Sequence, residues 1–244
     1  MKFKHLLAGA ALVVASPAVL AGQLTGNVAA VSDYMFRGID LSGSNAALQG
    51  GVDYTTSFNV YAGLWTSGAA GAGGNEADLY AGYALKLGKF DLTAGAIYYL
   101  YSEAKQFGCA SAPCTGGSQD INFYEGFLGA GFGPVAVKIF YTPEYGFDAN
   151  NKEALYATAT VRLDLTETIS LLPQVGFSAG DGVKNVWGDE YLDYSITAAK
   201  KLKDEWSVSL SVVDTNIDVT NTTTGVQFSD DPKFVVGLKK GFKL

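Results

Sequence analysis

The chain has 244 residues, with 17 lysines and arginines against 24 aspartates and glutamates, a net charge of −7, and 48% hydrophobic residues. So acidic a chain is a poor partner for nucleic acid. No apolar run reaches the roughly 20 residues that a membrane-crossing helix needs, so a bilayer could be spanned only by strands.

Residues 1–21 read as a secretory signal: Lys2 and Lys4 make a basic start, Leu6 to Val14 an apolar run, and Val19-Leu20-Ala21 a small-residue cleavage site. Its removal leaves 15 basic against 24 acidic residues, a net charge of −9, and takes away His5, the single histidine. The expected mature protein is one domain, residues 22–244.

From there the hydrophobic spacing has period two in segment after segment. Strands are predicted over 24–36, 46–55, 59–66, 76–86, 90–101, 121–131, 134–142, 154–164, 168–178, 191–200, 205–214 and 233–244. In 205–214, Trp206, Val208, Leu210 and Val212 alternate with Ser207, Ser209 and Ser211, which puts apolar groups on one face and hydroxyls on the other. In the last strand Phe234, Val236, Leu238, Phe242 and Leu244 hold one phase, and Lys240 breaks it.

The connections are sorted. Tight ones around Thr56-Ser57-Phe58, Gly88-Lys89, Gly131-Phe132-Gly133, Leu165-Thr166-Glu167 and Leu202-Lys203-Asp204 alternate with long ones near 38–45, 67–75, 102–120, 143–153, 179–190 and 215–232. An up-and-down barrel with short periplasmic turns and long external loops produces this alternation. The expected fold is therefore all-β: a single closed antiparallel up-and-down transmembrane β-barrel of about 12 strands. Gly71 to Gly74 and Gly180 to Gly182 read as loops, since neither has a phosphate-loop pattern or opens an evident helix.

If apolar side chains face lipid, the opposite phase faces the lumen or its rims. That phase holds Asp33, Arg37, Asp53, Lys138, Arg162, Asp164 and Asp193, with Tyr80, Tyr99, Tyr101, Phe123, Glu125, Phe127 and Tyr156. Asp33, Arg37, Asp53, Lys138, Arg162 and Asp193 are the candidate pore-lining residues, because lumen charges of both signs can select permeating solutes; they could equally pair and plug a narrow barrel. Asp40, Glu76, Glu103, Asp120, Glu144, Asp148, Glu153, Asp181, Asp189, Glu190, Asp218, Asp230 and Asp231 are assigned to the outer loops. Such a mouth would concentrate cations, and a mild cation preference is expected. Acidic loops could also serve solubility, or divalent bridging to lipopolysaccharide.

Cys109 and Cys114 lie close together in a Gly/Ser/Ala-rich stretch of an exported chain, where a local disulfide is expected. No metal-ligand pattern and no cofactor motif is evident. Without histidine the mature chain lacks the base that barrel hydrolases use, so no enzymatic activity is expected.

Ser32-Asp33-Tyr34, Phe36-Arg37-Gly38-Ile39, Leu48-Gln49-Gly50-Gly51-Val52-Asp53-Tyr54 and Tyr61-Ala62-Gly63-Leu64-Trp65 together resemble the TorF family of porins of Gram-negative bacteria. Tyr141-Thr142-Pro143-Glu144-Tyr145 and Asp189-Glu190-Tyr191-Leu192-Asp193-Tyr194 are similar to later blocks of that family. The resemblance implies an outer-membrane barrel acting as a channel. The expected partners are outer-membrane lipid and lipopolysaccharide, the outer-membrane assembly machinery, and small polar solutes or ions. The chain departs from the family at Ala46, where a proline is common. It also ends in Leu244, where many such barrels end in an aromatic residue.

The leading expectation is thus passive diffusion of small polar solutes or ions across the outer membrane. The alternatives are a closed structural or surface-interaction barrel without transport, and a soluble periplasmic barrel.

Overall fold

The computed structural model describes residues 22–71, 74–102, 121–217 and 231–243. The expected signal segment, Cys109, Cys114 and Leu244 lie outside the described residues.

In chain order the elements are β1 Gln23–Val31, β2 Met35–Phe36, β3 Ile39–Asp40, β4 Ala47–Thr55, β5 Val60–Ala69, β6 Gly74–Leu87, β7 Phe90–Tyr101 and β8 Phe123–Phe132. They continue with β9 Val135–Thr142, β10 Ala154–Val161, β11 Leu163–Asp164, β12 Ile169–Ala179, α1 Asp181–Trp187, β13 Tyr191–Lys201, β14 Trp206–Thr215 and β15 Lys233–Lys243. β2 and β3 form a small separate hairpin, and β11 prolongs β10 along the same partner. The other strands make twelve staves, each antiparallel to both neighbours. The ring closes where β1 pairs with β15, Val28 opposite Lys240, and where β10 pairs with β12, Ala157 opposite Phe177. A closed ring leaves no unpaired sheet edge, as a wall in hydrocarbon requires.

The alternating sequence sorts the two faces as expected. Leu48, Val52, Leu64, Leu79, Leu128, Ile139, Val175, Ile196, Leu210 and Val236 are all exposed on the outside. Aromatic side chains ring this apolar face at two heights. Tyr54, Tyr83, Phe90, Phe132, Trp206 and Phe242 are exposed near the short-turn end; Tyr98, Tyr124, Tyr141, Phe177, Tyr194 and Phe234 are exposed near the long-loop end. Phe90 and Tyr98, Tyr124 and Phe132, and Phe234 and Phe242 are each eight residues apart on one strand. Eight residues span about 26 Å of strand, or roughly 20 Å along the membrane normal at a tilt near 40°, close to the apolar band of outer-membrane barrels. Lys240, the one break in the apolar phase of β15, sits at the short-turn end with its Nζ 5.4 Å from the Trp206 ring centroid, beside the carbonyl of Asp204 to which it donates. An exposed apolar belt between aromatic girdles is a lipid-facing surface, and a soluble barrel has no use for one.

Three local expectations are corrected. The first wall strand ends at Val31, not at residue 36: the amide of Ser32 still donates to the Val236 carbonyl, and beyond it the chain turns into the lumen. Gly180, expected in a loop, is the N-cap of α1, and Gly188 closes that helix with a left-handed φ of 85°. Glu76, assigned to an outer loop, lies in β6 and is buried inside the barrel.

Candidate functional site: an occluded lumen

Twelve strands about 4.8 Å apart and tilted near 40° enclose a backbone cylinder roughly 24 Å across. Inward side chains leave a passage about 14 Å wide, so one hairpin with its own side chains is enough to block it. Residues 32–46 supply that hairpin. They hang from adjacent staves, since Val31 pairs directly with Ala47 across β1 and β4. β2 and β3 pair Met35 with Asp40 and Phe36 with Ile39, and both tip residues have positive φ, Arg37 at 51° and Gly38 at 80°. Two positive φ values at a two-residue tip match the primed turns that tight hairpins use.

Polar contacts hold the hairpin at its base and at its tip. At the base, the Asp40 carboxylate accepts bonds from the amides and hydroxyls of Ser42 and Ser44, at 2.7–3.0 Å. The Tyr34 amide donates to Ser42 Oγ at 2.9 Å, and the Tyr34 hydroxyl crosses to Glu76 Oε1 on β6, also at 2.9 Å. Burial, then the Glu76 charge, pushes the Tyr34 phenol well above its usual range, which keeps it a neutral donor. At the tip, Arg37 Nη2 forms an ion pair with Glu125 Oε2 on β8, with the two side chains 7% and 0% exposed. The Tyr99 hydroxyl donates to the same oxygen at 3.0 Å. The Arg37 Cζ lies 4.4 Å from the Tyr156 ring centroid, 4.7 Å from Phe36 and 5.4 Å from Phe140. Burial alone would make the guanidinium easier to deprotonate; Glu125 more than offsets this, so Arg37 is held charged above its ordinary value. On its other side the tip rests on β13 and β14, where a Cβ added to Gly38 would lie 2.8 Å from Asp193 Cβ and nearer still to Thr215 Cγ2.

Above and around the hairpin the long-loop half of the barrel is a packed core. Tyr34, Phe36, Ile39 and Leu41 meet Tyr145 and Phe147 from the 143–153 loop and Val183, Val186 and Trp187 from α1, against Tyr99, Tyr101, Phe123 and Tyr191 of the wall. The 143–153 loop is ordered around the buried Asp148. Its Oδ1 accepts from the Asn150 amide at 3.1 Å, and its Oδ2 from the Lys152 amide at 3.0 Å and Asn185 Nδ2 at 3.1 Å. Burial pushes Tyr145 up to about 12, and its hydroxyl accepts from Trp187 Nε1 at 3.4 Å.

The short-turn half is different. On β12 to β15 its inward positions include Ser170, Leu172, Gln174, Ser195, Thr197, Ala199, Ser207, Ser209, Ser211, Gly237 and Lys239, with Thr197 and Ser211 hydroxyls 2.8 Å apart. Opposite them the Tyr80 hydroxyl bonds Asp53 Oδ1, and Tyr61 bonds Thr93 at 3.0 Å. Lys138 Nζ stands 5.4 Å from the Phe127 centroid and 6.0 Å from Phe140. Small hydroxyl and amide groups of this kind suit a water-filled vestibule.

Of the residues expected to line a lumen, Arg37, Lys138 and Asp193 are buried inside the barrel, Arg37 on the hairpin and the others on the wall. Asp53 is half-buried in the vestibule, and Asp33 is half-buried where the chain leaves β1. Arg162 stands at the short-turn end between β10 and β11, 2.8 Å from the exposed Asp164, and does not join the others. Sequence reasoning passed over Asp78 and the plug residues Tyr34, Ile39 and Leu41. Asp78 could have been found, since it shares the inward phase of Tyr80. Glu76 Oε2, Asp78 Oδ1, Glu125 Oε1 and Asp193 Oδ2 are buried with no hydrogen-bond partner among the described residues. No group of three or more histidine, cysteine or acidic side chains able to hold a metal ion occurs among the described residues.

A search of curated proteins finds no match. Among solved structures the fold is similar to the KdgM porin in complex with disordered oligogalacturonate, with a TM-score of 0.54 and 10% identity over 90% of this chain and 99% of that one. The KdgM porin structure without that ligand in its description gives 0.51 at the same identity and coverage. A TodX deletion mutant described as a monoaromatic hydrocarbon channel gives 0.50, at 11% identity over 91% and 90% of the two chains. These likenesses establish a porin-type barrel fold; the TorF resemblance is met at that level, and its name is not. The sequence model of a bacterial family of unknown function, Gcw_chp, matches residues 15–242. The chain belongs to the Gcw_chp family.

Proposed function

We propose that this protein is an outer-membrane channel for small polar solutes or ions, described here in a state occluded by residues 32–46. The observation that carries the reading is the division of the lumen. A vestibule with a run of small hydroxyl side chains on β12 to β14 leads to an obstruction that hangs from two adjacent staves and is tied across the barrel by Tyr34–Glu76 and Arg37–Glu125. A lumen meant only to be filled would have no need of that vestibule.

The acidic long-loop mouth supports a mild cation preference. Glu144, Asp181, Asp189 and Asp231 are exposed at the long-loop mouth beside Lys152 and Lys184, and an excess of exposed charge of one sign enriches counter-ions within about 8 Å at physiological salt. Asp40 and Asp148 are spent inside their own loops and add less to this field. Oligogalacturonate is named with KdgM and a hydrocarbon with TodX; ligands so unlike show that this fold does not choose the solute. The lipid-facing belt supports contact with outer-membrane lipid, and we infer from that location contact with lipopolysaccharide and insertion by the barrel-assembly machinery. The test is reversal potential across a planar bilayer under a KCl gradient: a potassium-selective sign is expected, and chloride selectivity would overturn the preference. The second reading, a closed structural barrel, is favoured by the extent of the aromatic core in the long-loop half. Absence of reproducible current would support it.

A further inference from the structure

The wall side of the Arg37 cage is complete without Arg37. Tyr99, Glu125, Phe140, Tyr156 and Asp193 stand on five wall strands, β7, β8, β9, β10 and β13, and only the cation and Phe36 come from the hairpin. The rings of Phe36, Phe140 and Tyr156 lie within the roughly 6 Å at which a cation is attracted to an aromatic face, and all three Cζ-to-centroid distances are below 5.5 Å. Glu125 has no exposure, and its Oε1 is buried without a partner. Asp193 reaches the cage through Tyr156, whose hydroxyl donates to its Oδ1 at 3.3 Å, while its Oδ2 is buried and unpartnered. The guanidinium therefore pairs with one oxygen of Glu125 and leaves the other without a hydrogen-bond partner among the described residues, with the Asp193 carboxylate behind Tyr156. A carboxylate in such a place must keep a cation partner or lose its charge. The residue that supplies the cation is itself held at a φ of 51°, a conformation that non-glycine residues rarely adopt.

From this geometry we propose that the cage is a binding site for small guanidinium-bearing solutes, occupied in cis by Arg37. A planar cation with several N–H donors can stack on Tyr156 and Phe140 and fork onto Glu125 as Arg37 does. A solute reaching the cage from the vestibule competes with Arg37, and its binding releases the hairpin tip. The release step rests on the channel reading; the site itself does not.

The test uses the mature chain refolded in detergent, with methylguanidinium as probe and sodium chloride at equal ionic strength as control. Folded barrel is read by heat-modifiable gel migration. Arg37→Ala should melt several degrees below the parent and recover at least half of that loss in a saturable titration. Arg37→Ala/Glu125→Gln should show no recovery. If Arg37→Ala does not fold unaided, its yield of folded band with and without methylguanidinium reads the same property, and Arg37→Gln provides a bulkier host. No recovery beyond sodium chloride, or equal recovery in the double variant, overturns the site. Recovery with no change in conductance upholds the site and counts against the channel reading alone.

Discussion

Removing one member of the Arg37–Glu125 pair should cost far more than removing both. In Glu125→Leu the guanidinium stays in a cage where it is 7% exposed, with its ion-pair partner gone. In Arg37→Met the Glu125 carboxylate stays at 0% exposure with only the Tyr99 hydroxyl left to it. Breaking a buried pair in this way costs about 3–5 kcal/mol, because an uncompensated charge remains where water cannot reach it. Replacing both by Met and Leu leaves apolar groups against Phe36, Phe140 and Tyr156, and such swaps are often near neutral. The Tyr99 hydroxyl then loses its acceptor, which returns about 1–3 kcal/mol of the cost. The double variant should therefore lie about 1–3 kcal/mol below the parent, whereas adding the two single losses gives about 6–10 kcal/mol. The assay is urea titration in lipid vesicles, followed by tryptophan fluorescence and heat-modifiable migration. Single losses below about 1 kcal/mol, or a double variant equal to the sum of the singles, would refute a desolvated pair at the hairpin tip.

Leu210→Arg, at the middle of the lipid-facing side of β14, should destabilise the barrel by about 2–4 kcal/mol and slow insertion into vesicles. Its inward neighbour Ser209→Arg should cost less than half of that, and the reverse order would mean that the faces are misassigned. Gly38→Ala should lower the melting midpoint more than Gly43→Ala. Both positions have positive φ, but an added Cβ at Gly38 meets Asp193 Cβ at 2.8 Å, whereas at Gly43 the nearest atom is Gly71 Cα at 3.5 Å; the clash adds about 1–3 kcal/mol. Cys109 and Cys114 should form a disulfide, so alkylation of the unreduced exported protein followed by mass measurement should find neither thiol labelled.

The wall was legible because lipid on one side and a lumen on the other impose period two, and residues such as Trp206 to Val212 obey it without interruption. All twelve staves were expected within a few residues of their observed bounds, except at the end of β1. There Tyr34 and Phe36 continue the alternation of β1, and nothing in the spacing says that their partner is the lumen core instead of lipid. Arg37-Gly38, a pair suited to a tight tip, is the local signal that the chain turns back. α1 escaped notice because seven residues between two glycines are too few for a helical period; Val183, Val186 and Trp187 show its buried face only once packing is known. Glu76 read as a loop acid because a charge at a strand end looks solvated, and only its bond from Tyr34 shows otherwise. The cage around Arg37 joins residues as far apart as Arg37 and Asp193, a juxtaposition created by ring closure and invisible in local pattern.

Single-channel current tests the central claim most directly. Residues 33–45 can be replaced by an Asn-Gly turn, because Val31 and Ala47 are already paired across β1 and β4. In planar bilayers the parent should give rare or small steps, and the shortened variant should give frequent, larger and uniform ones at the same protein load. A shortened variant that folds, as judged by heat-modifiable migration, yet conducts no more than the parent would contradict an occluded channel.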